Sequence, residues 1–313
     1  MKIRQSLVTT AERQACGRSR NHWIAGPFRL HSRADLNRRG QKSSIFFALV
    51  GLAVLLGIAA FAGTVSPVSS QPVPLLIALA LAPGAYLSFI IYGKDKYEPE
   101  PKKLILFAFL LGSLAVIPAG ILETSAQAVL GLPAHSTEEL DILPSAAMAF
   151  IVAAAVEEFS KFLVLRYWAF PKKDFNEPFD GIVYGAFIGL GFATFENVGY
   201  VLHYGFAAGV IRMFTAVPCH YALGVILGYH VGKAKFDSEQ SRAIIGRGLL
   251  LVILLHGAYD FFAMQNRFPA LAIFTFVILG WALKLARRAI EELQEDSRTR
   301  FLPKLVSHQI PNP

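Results

Sequence analysis

The sequence predicts an all-α, polytopic integral membrane protein of about eight transmembrane helices, with both ends of the chain in the cytoplasm. Three observations lead there. The 313 residues are 54% hydrophobic and only 17% charged, too little charged surface for a soluble domain of this size. The apolar residues come in blocks long enough to cross the hydrocarbon core, which takes roughly 17 to 25 residues each. The basic residues follow the gaps between the blocks.

The blocks fall at about 45–63, 74–92, 103–122, 142–167, 180–202, 207–231, 244–262 and 268–286, which leaves no room for a separate globular domain. Of 30 Lys and Arg, ten lie in 1–44, four in the 93–103 loop, three from Arg166 to Lys173, four from Lys233 to Arg247 and six from Lys284 onward. The loops at 64–73, 123–141 and 203–206 have none, and 263–267 has only Arg267. Basic loops stay cytoplasmic, so every second loop is inside, and an even number of spans returns the tail to the starting side. The net charge of +8 is thus a topological signal. It implies the bilayer as a partner and no nucleic acid.

The organisation that follows is a basic cytoplasmic tail over 1–44, expected to be disordered and able to touch anionic headgroups, a helical membrane domain over 45–286, and a cytoplasmic tail over 287–313. An organellar transit peptide would share the first segment's composition. Charge spacing over Lys284–Arg300 suggests that the last span runs on as a helix. The loop from Lys94 to Lys103 mixes both signs and holds two prolines, so a short structured turn is expected. The acidic loop around His135, Glu138, Glu139 and Asp141 reads as topology rather than as a metal site. Two cysteines, Cys16 and Cys219, make no disulfide framework.

Small residues recur at helical spacing. Gly181, Gly185, Gly189, Ala193 and Asn197 lie four apart in the fifth span, and His220, Gly224, Gly228 and Gly232 do so in the sixth. In lipid, where apolar burial does not drive helices together, such stripes let backbones approach closely. Packing explains the glycines but not the Asn and His that end the stripes.

An ionisable group at a span centre costs about 2.5–3.5 kcal/mol even on lenient scales. Several coincide in depth here. Glu157, Glu158 and Lys161 share one face of the fourth span, where one ammonium beside two carboxylates leaves a carboxylate uncompensated and suited to proton exchange. The plain alternative is a structural ion pair. Glu196 lies beside the glycine stripe of the fifth span, and could serve only as an interhelical hydrogen bond. His256 and Asp260 are one turn apart in the seventh span, placed so that the carboxylate orients the imidazole or both meet one metal, water or substrate. His220, in the sixth span, could equally bond a backbone carbonyl. Arg212 is near enough to a span end to snorkel, and His203, His230 and Glu123 lie near span ends where polar residues need no explanation.

Glu-Glu-x-x-Lys at 157–161, Phe-x-x-x-Glu at 192–196 and His-x-x-x-Asp at 256–260, each on its own span and in this order, resemble the PrsW family of intramembrane proteases. The resemblance covers roughly 75–290. A wider kinship is with the CAAX prenyl proteases, which carry Arg, His and Asn in place of Lys161, Glu196 and Asp260, so their metal chemistry does not simply carry over. The resemblance implies cleavage of a peptide bond in or near a membrane-spanning substrate at the bacterial inner membrane. Family members of this type act on anti-sigma factors, which implies a single-span substrate protein.

The residues implied as catalytic are Glu157, Glu158, Lys161, Glu196, His256 and Asp260. Two chemistries remain open at this stage. Glu157 with Glu196 activates water while His256 donates to the oxyanion, or Glu157, His220 and His256 hold a zinc ion. A cofactor is accordingly either absent or zinc, and the His-Glu-x-x-His spacing of soluble zinc proteases is missing. Two other classes compete: a non-catalytic membrane scaffold, like the γ-secretase subunit thought to be distantly related, and a proton-coupled transporter, which no visible inverted repeat supports. The substrate and the oligomeric state are not encoded in any motif.

Overall fold

A computed structural model describes residues 70–132, 141–237, 239–264 and 267–309, and these residues form seven long helices. They are α1 (Val73–Tyr92), α2 (Lys102–Leu130), α3 (142–169), α4 (Pro178–Phe214), α5 (Ala216–Phe236), α6 (Ser241–Ala263) and α7 (Ile273–Gln309). There is no strand among the described residues. The expected tail 1–44, the expected first span at 45–63, Cys16 and the loop residues His135, Glu138 and Glu139 lie outside them.

Among the described residues, which hold seven of the eight expected spans, five segments are long and apolar enough to cross a membrane: Val73–Tyr92, Lys102–Leu130, Pro178–Phe236, Ser241–Ala263 and Pro269–Phe301. Two differences have local causes. The expected fourth span is helical, but alternates α-helix at Ile142–Ala146 and Ala155–Val164 with wider π turns at Ala147–Ala154 and Leu165–Ala169. The expected fifth and sixth spans form one 59-residue apolar stretch that doubles back. The fold-back occurs at Gly205, whose φ of 79° and ψ of −165° suit glycine alone.

Local chemistry fixes the helix ends. Pro178 occupies the first turn of α4, Glu177 and Asp180 form a reciprocal capping box, and the Glu177 N–H donates to Asp180 Oδ2 at 2.8 Å. At the other end of the domain α2 stops at Gly131, left-handed at φ 64°, where the Leu132 N–H returns to the Gln127 carbonyl. The last span does run on as a helix, to Gln309.

The centre of the bundle is α4, buried along nearly its whole length from Pro178 to Asn197. It lies antiparallel to α5 because the two glycine stripes meet. A Cβ on Gly181, Gly185 or Gly189 would strike the backbone of Gly228, Gly224 or His220, and one on Gly232 would strike Pro178. On the opposite side Gly112 and Gly191 bring α2 equally close, with Ser113 Oγ donating to the Gly191 carbonyl at 2.9 Å. Van der Waals contact between backbones thus holds α2, α4 and α5 where hydrophobic burial cannot. It also sets the polar residues of these helices against one another.

The 93–101 loop is the structured turn expected. Asp95 Oδ2 accepts the Glu100 N–H at 2.8 Å, and the Glu100 carboxylate accepts the Tyr184 hydroxyl. Both carboxyls are almost fully buried, and burial pushes Asp95 up to about 6 and Glu100 up to about 7.

Candidate active site in the membrane

Lys161 is the hub. Its Nζ lies 2.7 Å from Glu158 Oε1, 3.1 Å from Glu157 Oε2 and 2.9 Å from His220 Nδ1, and 4.1 Å above the Phe192 ring. The 157–161 spacing delivers the first two contacts from within α3, while the glycine stripes deliver the third from α5. This stretch is regular α-helix, flanked on both sides by π turns, which are common near functional sites.

A lysine ammonium only donates, so His220 Nδ1 accepts and the Nε2–H donates to Glu196 Oε2, at 3.1 Å. The neighbouring ring, His256, has its Nδ1 at 2.9 Å from Glu158 Oε1 and its Nε2 at 3.2 Å from Asp260 Oδ2 and 4.0 Å from Glu157 Oε2. The two imidazoles stand edge to face with centroids 5.0 Å apart. Glu157, Glu158, Lys161, Glu196, His220, His256 and Asp260, drawn from four helices, therefore form one continuous network. Glu158 is fully buried, and one of its oxygens has no hydrogen-bond partner. Glu196 and Asp260 are the more open members, their side chains 19% and 18% exposed against 9% for Glu157.

Two residues set aside in the sequence belong with this network. Glu123, on α2, is no isolated span-end carboxylate: it lies within electrostatic reach of Glu196, Lys161, His256 and Asp260. Arg212 does not snorkel. Its Nη2 is 2.8 Å from Glu196 Oε2, because the fold-back at Gly205 returns it alongside the helix it left. No sequence spacing signals either contact, since both cross between helices or across a reversal. His230, by contrast, bonds the Ile226 carbonyl and stands apart from the site.

The donor set suits a metal ion. Glu157, Glu158, His220 and His256 each offer one ligand atom, all within 4.8 Å of one another, and two carboxylates with two imidazoles match zinc-type ligation. Three of these residues already face the Lys161 ammonium, so a metal shares its donors with a resident positive charge.

Comparison with known proteins agrees with the motifs. A family model described as PrsW family intramembrane metalloprotease matches residues 100–284. Protease PrsW of Geobacillus kaustophilus is 34% identical over 235 residues, 74% of this chain and 98% of that one. Protease PrsW of Shouchella clausii is 33% identical, covering 71% and 97%, and that of Bacillus subtilis is 32% identical, covering 68% and 95%. No solved structure matches the chain. These relatives favour hydrolysis over the scaffold and transporter readings. Motifs, intramembrane network and family model converge on one conclusion: the chain belongs to the PrsW family of intramembrane metalloproteases.

Proposed function

We propose that this protease cuts a single-span membrane protein in or beside its membrane segment, at the bacterial inner membrane, with Glu157 as the base. By the resemblance of its motifs, the substrate belongs to the anti-sigma-factor type of regulated proteolysis. The observation that carries the reading is the network around Lys161, which gathers two carboxylates and two imidazoles in a water-poor interior. The basic loops support eight spans with both ends inside, the first of them at 45–63 behind the tail 1–44, and a cytoplasmic C-terminal tail over 287–313.

Glu157 is poised for the first step by its neighbours. It takes a proton from water as the water oxygen attacks the scissile carbonyl carbon, and it returns that proton to the amine that leaves when the C–N bond breaks. The developing oxyanion is met by positive charge and N–H groups already in place, from Lys161 and from His256 Nε2. Glu158 and Asp260 hold the His256 ring from both sides, and Glu196 holds His220. With a metal bound, Glu157, His220 and His256 would serve as its ligands in place of the base and N–H donor roles, and the ion would supply a Lewis acid and a more acidic water.

A second reading rests on the ammonium itself: lying 2.7–3.1 Å from Glu158, His220 and Glu157, Lys161 supplies the site's positive charge without a metal. Elemental analysis of the purified protein, with chelation during cleavage, separates the two. Inhibition reversed by zinc supports the first reading, and undiminished cleavage by metal-free protein the second. The test of the function is release of a reporter from a tethered single-span substrate. Glu157→Gln keeps size and polarity, so the variant is expected at normal levels without cleavage. Full release by a well-expressed Glu157→Gln would overturn the assignment.

A further inference from the structure

An arginine within a membrane helix is expensive, and one near a span end ordinarily extends toward the headgroups. Arg212 turns inward instead, its side chain 14% exposed. All three of its partners lie on one stretch of α4. Nη2 is 2.8 Å from Glu196 Oε2, Nε donates to Asn197 Oδ1 at 3.2 Å, and the guanidinium carbon lies 3.7 Å from the Tyr200 ring centre. The Nη2 contact is an ion pair whose N–H groups do not point at the oxygen, so the clamp is electrostatic there and directional at Nε.

The local backbone is arranged to permit this. Gly205 reverses the chain, and Gln71 Oε1 accepts the Phe206 N–H at 2.8 Å, capping the segment that returns. Asn197 Nδ2 in turn donates to the Ala80 carbonyl at 3.3 Å, which ties the clamp to α1. The oxygen held by Arg212 is the same Glu196 Oε2 that accepts from His220 Nε2, and His220 Nδ1 faces Lys161.

We propose that Arg212 is a positioning residue of the protease site: from beyond the Gly205 reversal it fixes the Glu196 carboxylate, and through Glu196 the ring of His220 that faces Lys161 and Glu157. The inference rests on the reading that Glu196 and His220 serve the reaction. Without Arg212, Glu196 keeps His220 as its nearest partner but loses the charge that sets its rotamer, and the imidazole loses a fixed acceptor. Partners of this kind, one step removed from the chemistry, typically matter about 10- to 100-fold.

The experiment compares Arg212→Met, Arg212→Gln, Arg212→Lys and Glu196→Gln, each purified in detergent with its folded fraction measured, on the single-span reporter that the wild type cleaves. Arg212→Met is expected to lower kcat per folded molecule about 10- to 100-fold with little change in KM. Arg212→Lys keeps the charge but not the bond to Asn197, so it should recover part of the loss. Wild-type kcat in folded Arg212→Met would overturn the proposal. Should Arg212→Met fail to fold, Arg212→Gln decides: it removes the charge that holds Glu196 while keeping a polar side chain beside Asn197, and a wild-type kcat there overturns the proposal. Glu196→Gln separates the two ideas. If it is inactive while Arg212→Met turns over normally, only the inference fails. If Glu196→Gln cleaves like wild type, the reading of the site fails with it.

Discussion

The single residue on which the site turns is Lys161. The residue is 2% exposed, and its ammonium faces two carboxylates and an imidazole, a concentration of charge that an apolar interior tolerates only while it is complete. Lys161→Met leaves Glu157 and Glu158 without their cation, and breaking a buried pair from one side costs about 3–5 kcal/mol. We expect a lower melting temperature in detergent together with lost cleavage, whereas Glu157→Gln should lose cleavage alone. A Lys161→Met protein that melts like wild type would show that the carboxylates find another cation. Glu123 is a milder case. Half-buried on α2 and in reach of Glu196 and Asp260, it adds a further carboxyl beside the more open members of the site. Glu123→Gln should alter cleavage by several-fold without changing expression, as read by reporter release against protein level.

At the scale of elements, the register between α4 and α5 decides whether the polar groups meet. Each carries its site residue at one end of a glycine stripe, Glu196 and Asn197 beyond Gly189 on α4 and His220 before Gly224 on α5. A Cβ on Gly189 would come to 2.6 Å from the His220 carbonyl, too close for any real side chain without moving the helix. Gly189→Ala should therefore lower thermal stability and activity together, and Gly189→Leu should prevent assembly. A Gly189→Leu variant of normal thermal stability would mean that the stripe does not set the approach. The π turns of α3 play the complementary part, since the helix that carries Glu157, Glu158 and Lys161 departs from α geometry on both sides of them.

For the molecule as a whole, the turn between α1 and α2 ties into the start of α4 through buried carboxyls, and this makes stability depend on pH. Asp95 and Glu100 are pushed up to about 6 and about 7 by burial, so between the ordinary carboxylate range and those values the folded protein holds protons that the unfolded chain releases. Their contribution is complete below pH 4 or so and is lost as pH rises through 6 and 7. The melting temperature in detergent should fall from pH 5 to pH 8, and Glu100→Gln should flatten that fall. An identical slope in the variant would remove Glu100 as a cause. Orientation has its own check: with basic loops inside, cysteines placed at Ser69 or Ser136 should react with an impermeant thiol reagent on intact cells and one at Ser238 should not.

Much of this was legible in the sequence, for reasons that differ between fold and site. Helical class and membrane placement follow from composition and block length, because the bilayer forces backbone polar groups to pair within each helix. The seven network residues were visible because charge at mid-bilayer depth is costly wherever the chain folds, so each stood out without its partners. Span counting was less secure: it relies on apolar runs with punctuation between them, and the fold-back at Gly205 carries little, while the charges of 157–161 interrupt the run of α3. What only the tertiary structure decided is pairing. That Lys161 sits among Glu157, Glu158 and His220, that Arg212 returns to Glu196, and that Glu123 lies near Asp260 depend on backbone approach between helices and on one glycine's positive φ. Those are properties of distance in space, which spacing along the chain does not encode.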